Sequence, residues 1–534
     1  MFADETDKSD ASGCPGATAD GNPAVGWLAL FSNGNAAVCA MLTGGVAIHA
    51  LSLRVVATAL PSVVAEIGGL RFFAWTTTIA VVSAIWGAAF AAPLARSRGL
   101  KGAYRASLVL FAAGSIACAA APDMGVFLAG RLLQGWGGGL LVALAYTTIQ
   151  RVFPEDLRTR AMVLVPGIWG VAALCGPLFG GALAEWGLWR WAFWIDVPVA
   201  ALVWILAECS LPRSAGAEGA GIVAQARAAS GRLALLGASV LAVAIGGVSG
   251  GAPSGGIGLV IGTALMVALL QMERTPEEGP ARFRLLPTGA YRTGSVLGAA
   301  SLSLALMMGG STAIIYLPYV AVAIGGYSPI VGGYLSAIAS LAWTVAALGS
   351  ASAGHEWTER SIIFGPAVLT LGLFLTGCGL IVGSFAFMAF SVVLVGTGIG
   401  AAWAPLGNLM MAHAKEAERD VSSAFISTNQ MISQAFASAL AGMIANFAGF
   451  ADPGLGSIGV VRGVTWLFLS FALVAAAASP LSAIAVRLSA ARQPARPLAD
   501  KLALPWRRGL PVSTKPRPAP GDGRFADRRH QVHP

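Results

Sequence analysis

Long apolar runs separated by short polar stretches set the pattern of this chain. A helix needs about 20 apolar residues to cross roughly 30 Å of hydrocarbon. Runs of that length lie near 38–63, 74–95, 103–122, 126–149, 160–184, 191–211, 233–250 and 256–272. Six more follow near 293–323, 328–352, 361–382, 384–411, 421–449 and 463–486. Membrane β-strands would be about 10 residues long with alternating polarity, and these runs are longer and uniformly apolar. The pattern predicts an all-α polytopic membrane protein with fourteen spans.

Composition agrees. Of 534 residues, 56% are hydrophobic and 11% charged, less than half of the roughly 25% charge of soluble domains. The six cysteines are scattered, with neither a C-x-x-C pair nor metal-ligand spacing, so no metal, cofactor or disulfide framework is expected. Basic residues fall on alternate loops. One side holds Arg96, Arg98, Lys101, Arg105, Arg151, Arg158, Arg160, Arg213, Arg227, Arg232, Arg274, Arg282, Arg284, Arg292, Arg360, Lys415 and Arg419, together with both tails. The other holds Arg71, Arg190 and Arg462. The positive-inside rule then predicts cytoplasmic termini and a place in the cell's inner (plasma) membrane. The net charge of +9 reflects that bias; no basic stripe interleaved with aromatics points to nucleic acid.

The expected organisation is a disordered N-terminal tail (1–36), a six-helix bundle (37–211), two inserted helices with flanking loops (212–292), a second six-helix bundle (293–486) and a basic, proline-rich tail (487–534). The basic tail could touch anionic inner-leaflet lipid. Gly135-Trp136-Gly137-Gly138-Gly139 in span 4 and Gly396-Thr397-Gly398-Ile399-Gly400 in span 12 occupy matching places in the two bundles. Such weak internal repetition is a signature of transporters that rock about a central site.

Several short motifs resemble those of major facilitator superfamily transporters, of the fourteen-span drug:proton antiporter type. Val56-Ala57-Thr58-Ala59-Leu60-Pro61 resembles the end of that family's first helix, and Arg131-Leu132-Leu133-Gln134-Gly135-Trp136-Gly137 its R-x-x-Q-G-x-G. Gly176-Pro177-Leu178-Phe179-Gly180-Gly181 is similar to the span-5 antiporter motif, and Trp189-Arg190-Trp191-Ala192-Phe193 to the W-R-W-x-F entering span 6. Tyr316-Leu317-Pro318 and Gly326-Tyr327-Ser328-Pro329 complete the series. The resemblance implies a major facilitator fold of 6+2+6 helices, a small-molecule substrate, proton coupling and a monomeric unit. Two departures stand out. The loop motif between spans 2 and 3 carries Arg96 at its acidic position, though Arg98, Gly99 and Lys101 keep its basic character, and the first helix reads Ser52-Leu53-Arg54 where relatives carry D-x-T.

Ionisable groups deep in a membrane are costly and mark function. On the predicted spans the deep ones are both arginines: Arg54, about 12 Å below the outer end of span 1, and Arg131, about 8 Å below that of span 4. None of the 25 carboxylates falls mid-span, and Asp196 is placed near the outer mouth of span 6. Arg54, Thr58 and Ser62 form one polar stripe. Arg54 could bind substrate, snorkel or pair with Asp196; Arg131 could bind substrate or backbone carbonyls. Gln134, Asn429 and Gln430 join them as candidates, with Ser423, Ser427 and Gln434 on the same face of span 13. Gly176, Pro177, Gly180 and Gly181 form the conformational motif. His49 is expected to be a packing residue, and Gly247-Val248-Ser249-Gly250-Gly251 matches G-x-S-x-G in spelling alone, so enzymatic activity is not expected. Three readings follow: an exporter of small organic molecules, an organic-anion or metabolite transporter with another coupling, and a non-transporting sensor on a transporter fold.

Overall fold

The computed structural model describes residues 30–32, 35–211, 220–249, 252–274, 286–452 apart from 352–354, and 454–492. Seventeen helices occur among them. The first nine are α1 (Asn35–Ile67), α2 (Trp75–Ser97), α3 (Gly99–Ala119), α4 (Met124–Val152), α5 (Glu155–Glu185), α6 (Trp191–Trp194), α7 (Asp196–Ser210), α8 (Ala220–Val248) and α9 (Ala252–Arg274). Then come α10 (Val296–Ser311), α11 (Leu317–Ala323), α12 (Pro329–Ala351), α13 (His355–Val382), α14 (Phe385–Ala412), α15 (Arg419–Phe447), α16 (Gly456–Ala476) and α17 (Ala478–Arg492). Thirteen stretches of the described residues are long and apolar enough to cross a membrane. The 29-residue α15 falls outside that set because its sequence is more polar.

One predicted span changes helix type in a way that hydropathy does not register. Span 9 tightens into a 3-10 turn over Thr312–Tyr316, between α10 and α11. Span 6 stays helical through Ile195, between α6 and α7, where the Ile195 amide bonds the Trp191 carbonyl at 3.1 Å. Of the predicted N-terminal tail, Leu30 is buried in the core of the first bundle and accepts a hydrogen bond from the Cys39 thiol. The tail residues 1–29 and 493–534, Arg213, Arg282, Arg284 and the side chains of Arg227, Arg274 and Ser423 lie outside the described residues.

Local chemistry sets the helix ends. Asp123 caps α4 by accepting the Val126 amide at 3.0 Å, and Ser295 caps α10 by accepting that of Gly298 at 3.0 Å. Each satisfies an amide that the first turn leaves without a partner. Between α2 and α3 the chain turns at Gly99, whose φ of +70° favours glycine.

The glycine runs of spans 4 and 12 do the same work in each bundle. A Cβ on Gly135 would lie 2.3 Å from the Ala80 carbonyl oxygen of α2, and one on Gly137 2.5 Å from the Phe111 amide of α3. In the second bundle, a Cβ on Gly396 would lie 2.1 Å from the Ala339 oxygen of α12, and one on Gly398 2.4 Å from the Leu369 amide of α13. So α4 is wedged between α2 and α3 as α14 is between α12 and α13. Backbones approach this closely only where no side chain intervenes.

Helices α8 and α9 pair with each other, and α8 lies against both α2 and α15. Trp86 and Trp75 of α2 donate indole N–H groups to the Leu233 and Ala244 carbonyls of α8, at 3.0 and 3.3 Å. The buried Arg232 and Glu273 join α8 to α9 at 2.8 Å.

The two bundles meet at the end that carries residues 67–75, the outer end by the charge pattern. Phe73, 1% exposed, stands among Tyr316, Tyr319 and Phe450, with ring centroids 4.9, 5.3 and 5.9 Å away. Beside this plug, Ser438 donates to the Ala74 carbonyl at 3.2 Å and Asn446 to the Arg71 carbonyl at 3.0 Å. On the opposite flank α5 touches α12, where a Cβ on Gly181 would lie 2.6 Å from the Ile330 Cα. Further from the outer end, Gly170 and Gly167 of α5 and Gly349 of α12 have open space where a Cβ would stand.

Candidate functional site

Inside the first bundle, five helices supply one polar network. Arg131 of α4 is 2% exposed; it donates to the Gln134 side-chain oxygen, to the Thr76 carbonyl of α2 at 3.3 Å and to the Ser52 hydroxyl of α1 at 3.4 Å. Gln134 in turn donates its Nε2 to Asp196 Oδ2 of α7 at 2.9 Å. Ser115 of α3 donates to the same oxygen at 3.1 Å, and Gln134 Nε2 also reaches the Ser115 hydroxyl at 2.9 Å. A guanidinium and a carboxyl group are thereby joined through one amide, all of them buried.

Asp196 lies five residues past Trp191, the first residue of α6, about 8 Å at 1.5 Å per residue, and its partner Ser115 lies four residues from the end of α3. The first bundle therefore holds a buried carboxyl group near the outer end of its sixth span. Asp196 meets Gln134 and Ser115 and makes no ion pair with Arg54 among the described residues. Arg131 shows the backbone-bonding arrangement in part, through Thr76.

The other candidates divide. Arg54 lies thirteen residues, about 20 Å, inward from the end of α1. Its Cβ packs where a Cβ on Gly176 would stand, 2.4 Å away, and Thr58 lies likewise against Gly180 at 2.1 Å. The Thr58 hydroxyl donates to the Val55 carbonyl at 2.9 Å, and its methyl would meet a Cβ on Gly333 of α12 at 2.5 Å. Pro177 lies 3.1 Å from the same Gly333 position, and α5 runs unbroken past it. The glycine face of span 5 thus packs on α1 and on the opposite bundle together.

Asn429 is buried within the second bundle; it donates to the Ser301 carbonyl at 2.9 Å and accepts from the Tyr291 hydroxyl. That tyrosine, at φ 59°, is the one non-glycine residue at positive φ among the described residues. Gln430 is half-buried and stands apart from this pair. His49 packs against Gly138 and edge-on to Trp169 at 6.0 Å. Ser249 bonds the Ile245 carbonyl at 2.8 Å, a helix-end contact with no hydrolase geometry.

The loop-motif residues Arg96, Arg98, Gly99 and Lys101 surround the α2–α3 turn. Lys101 donates to the Glu208 carbonyl, and Arg105 grips the Glu208 carboxylate, its Nη2 at 2.8 Å. Glu208 of α7 supplies a negative partner that the loop motif itself lacks, and sequence reasoning gave it no role. At the outer end, Arg190 pairs with Glu66 and lies 4.2 Å over the Trp189 ring, whose indole also donates to Glu66.

Residues 42–438 match the model of the Major Facilitator Superfamily. A probable multidrug-efflux transporter of Mycobacterium tuberculosis is 33% identical over 450 residues, 82% of this chain and 92% of the relative. Among solved structures, an inward-facing and unoccupied bacterial homolog of the human lysosomal transporter Spinster superposes with a TM-score of 0.61 at 13% identity, covering 87% of this chain and 100% of that one. A POT family transporter in complex with a thioalcohol-conjugated peptide gives 0.61 at 16% identity, covering 85% and 96%. At such identities the two structures speak for the fold.

Proposed function

The chain belongs to the Major Facilitator Superfamily, and on that premise we propose that it exports small organic molecules from the cytoplasm by alternating access, exchanging them for protons. The observation that carries this reading is the buried Asp196–Gln134–Arg131 network. A carboxyl group among hydrogen-bonding neighbours has a place in both states: ionised it accepts from Gln134 and Ser115, and protonated its O–H becomes a donor. Each protonation changes the charge inside the first bundle by one unit, facing a fixed guanidinium. A change of that size in a medium of low dielectric is large enough to bias two packings of the bundles.

The seal at Phe73 and Gly181 supports an inward-facing state, with the cavity between the bundles open to the cytoplasm. Protons entering from the outer side in the alternate state would complete the exchange. The 6+2+6 arrangement, with α8 and α9 as an insertion, agrees with the matched glycine wedges of α4 and α14. Both termini are cytoplasmic in this reading, the working unit is one chain in contact with lipid, and the membrane is the inner (plasma) membrane. Export is favoured over the sensor reading by the probable multidrug-efflux relative.

Inside-out vesicles test the proposal. Acidifying their lumen should drive uptake of exported drugs above the level in vesicles without the protein, and collapsing the pH gradient should abolish it. Uptake that is indifferent to the gradient would refute proton exchange.

A further inference from the structure

Inward of the outer seal, Arg54 on one bundle and Gln430 and Gln434 on the other have no polar partner among the described residues. On α15, the positions Ser438, Gly442 and Asn446 face the first bundle: Ser438 bonds Ala74, Gly442 abuts the Ala74 Cβ, and Asn446 bonds Arg71. Gln434 and Gln430 continue this stripe inward, one and two turns below Ser438. Both are half-buried, and among the described residues neither amide has a hydrogen bond. On α1, Thr58 meets Gly333 of the opposite bundle, and Arg54 lies one turn inward on the same stripe. The residue is likewise half-buried, with no ion pair, hydrogen bond or aromatic ring against it among the described residues. Each set thus begins about 6 Å inward of its contact with the other bundle, one set on each bundle.

The neighbouring charges do not change this. Asp196 is held by Ser115 and Gln134, Glu208 by Lys101 and Arg105, and Glu66 by Arg190. Arg131 is occupied inside its own bundle. Arg54 is therefore a deep cation that lacks its anion, an arrangement that membrane proteins keep at a cost. A bound carboxylate would supply the missing charge, in the planar two-point geometry that a guanidinium fork matches. A cation placed there would meet like charge.

We propose that Arg54 is the recognition group for an acidic substituent on the exported molecule, with Gln430 and Gln434 of the other bundle bonding its uncharged polar groups. This rests on the export reading and names the substrate class: organic anions and zwitterions with a carboxylate, in preference to lipophilic cations.

Equilibrium binding to the full-length protein in lipid nanodiscs separates recognition from transport. The probes are coumarin-3-carboxylate, its neutral carboxamide and a trimethylammonium coumarin, followed by fluorescence anisotropy. The wild type should bind the carboxylate at least tenfold more tightly than either analogue. Arg54→Ala should bring the three within about twofold of each other, and Arg54→Lys should keep part of the preference. Should Arg54→Ala not purify as a single species, Arg54→Lys alone must fall below the wild-type preference. Equal binding of the three probes, tighter binding of the cation, no binding of the carboxylate, or a preference that survives loss of the guanidinium would overturn the assignment. Preference without gradient-driven flux of the carboxylate would refute export and leave the recognition site standing. Flux without preference would do the reverse.

Discussion

Arg131 answers the charge of Asp196 through a single amide, so removing it leaves a carboxyl group buried beside polar groups that no longer balance it. Losing one partner of a buried charged pair costs about 3–5 kcal/mol. Arg131→Ala should therefore lower the thermal unfolding temperature of the purified protein clearly, whereas Arg131→Ala combined with Asp196→Asn should recover much of the loss. Absence of any recovery in the double variant would show that the two groups are not coupled. The sequence pointed to Arg131, Gln134 and Asp196 individually. It did not show that Asp196 is buried beside Gln134 and Ser115, because hydropathy measures position along one chain segment, while that contact is set by how α7 packs against α3 and α4. Ser115 was out of reach altogether: one serine in an apolar helix carries no signal until the fold places it beside a carboxyl group.

Among the elements, the glycine-rich helices were the most legible, because close backbone approach leaves a compositional trace. The runs at Gly135 and Gly396 turn out to wedge α4 and α14 between equivalent neighbours. On α5, Gly176 and Gly180 pack on α1, while Gly181 and Pro177 meet α12 of the opposite bundle. Gly181→Ala places a methyl group 2.6 Å from the Ile330 Cα. It should reduce vesicle transport about tenfold or more at unchanged membrane expression, since the strained contact recurs in every cycle. Unchanged transport would mean that the α5–α12 contact is dispensable.

The plug at Phe73 gave no such trace, being one aromatic residue in a short connection whose three ring neighbours lie far along the chain. Truncating a buried phenylalanine costs about 3–5 kcal/mol, and a third of that borne by the outward-closed state alone would shift its population about tenfold. With Gln434→Cys as a reporter, Phe73→Ala should speed labelling by a membrane-impermeant maleimide from the outer side by roughly that factor. An equal rate with and without Phe73 would remove the plug from the gating account.

At the scale of the whole molecule, hydropathy and charge delivered a polytopic helical protein and a direction for its loops. The contact of α8 with both α2 and α15 was not legible, because lateral packing between apolar helices carries no sequence period that names the partner. If the charge pattern sets orientation, reporter fusions at either terminus should be active only in the form that reads the cytoplasm; a periplasmic signal at one terminus would contradict it. The central claim is that Asp196 carries the proton exchanged for each exported molecule. Proteoliposomes containing a pH-sensitive dye test it most directly, by recording proton movement when a transported substrate is added outside. The wild type should move protons against the substrate flux, while Asp196→Asn, which keeps the size and hydrogen bonding of the site, should exchange substrate with proton movement reduced at least tenfold. Proton counterflow at the wild-type level in Asp196→Asn would contradict the account.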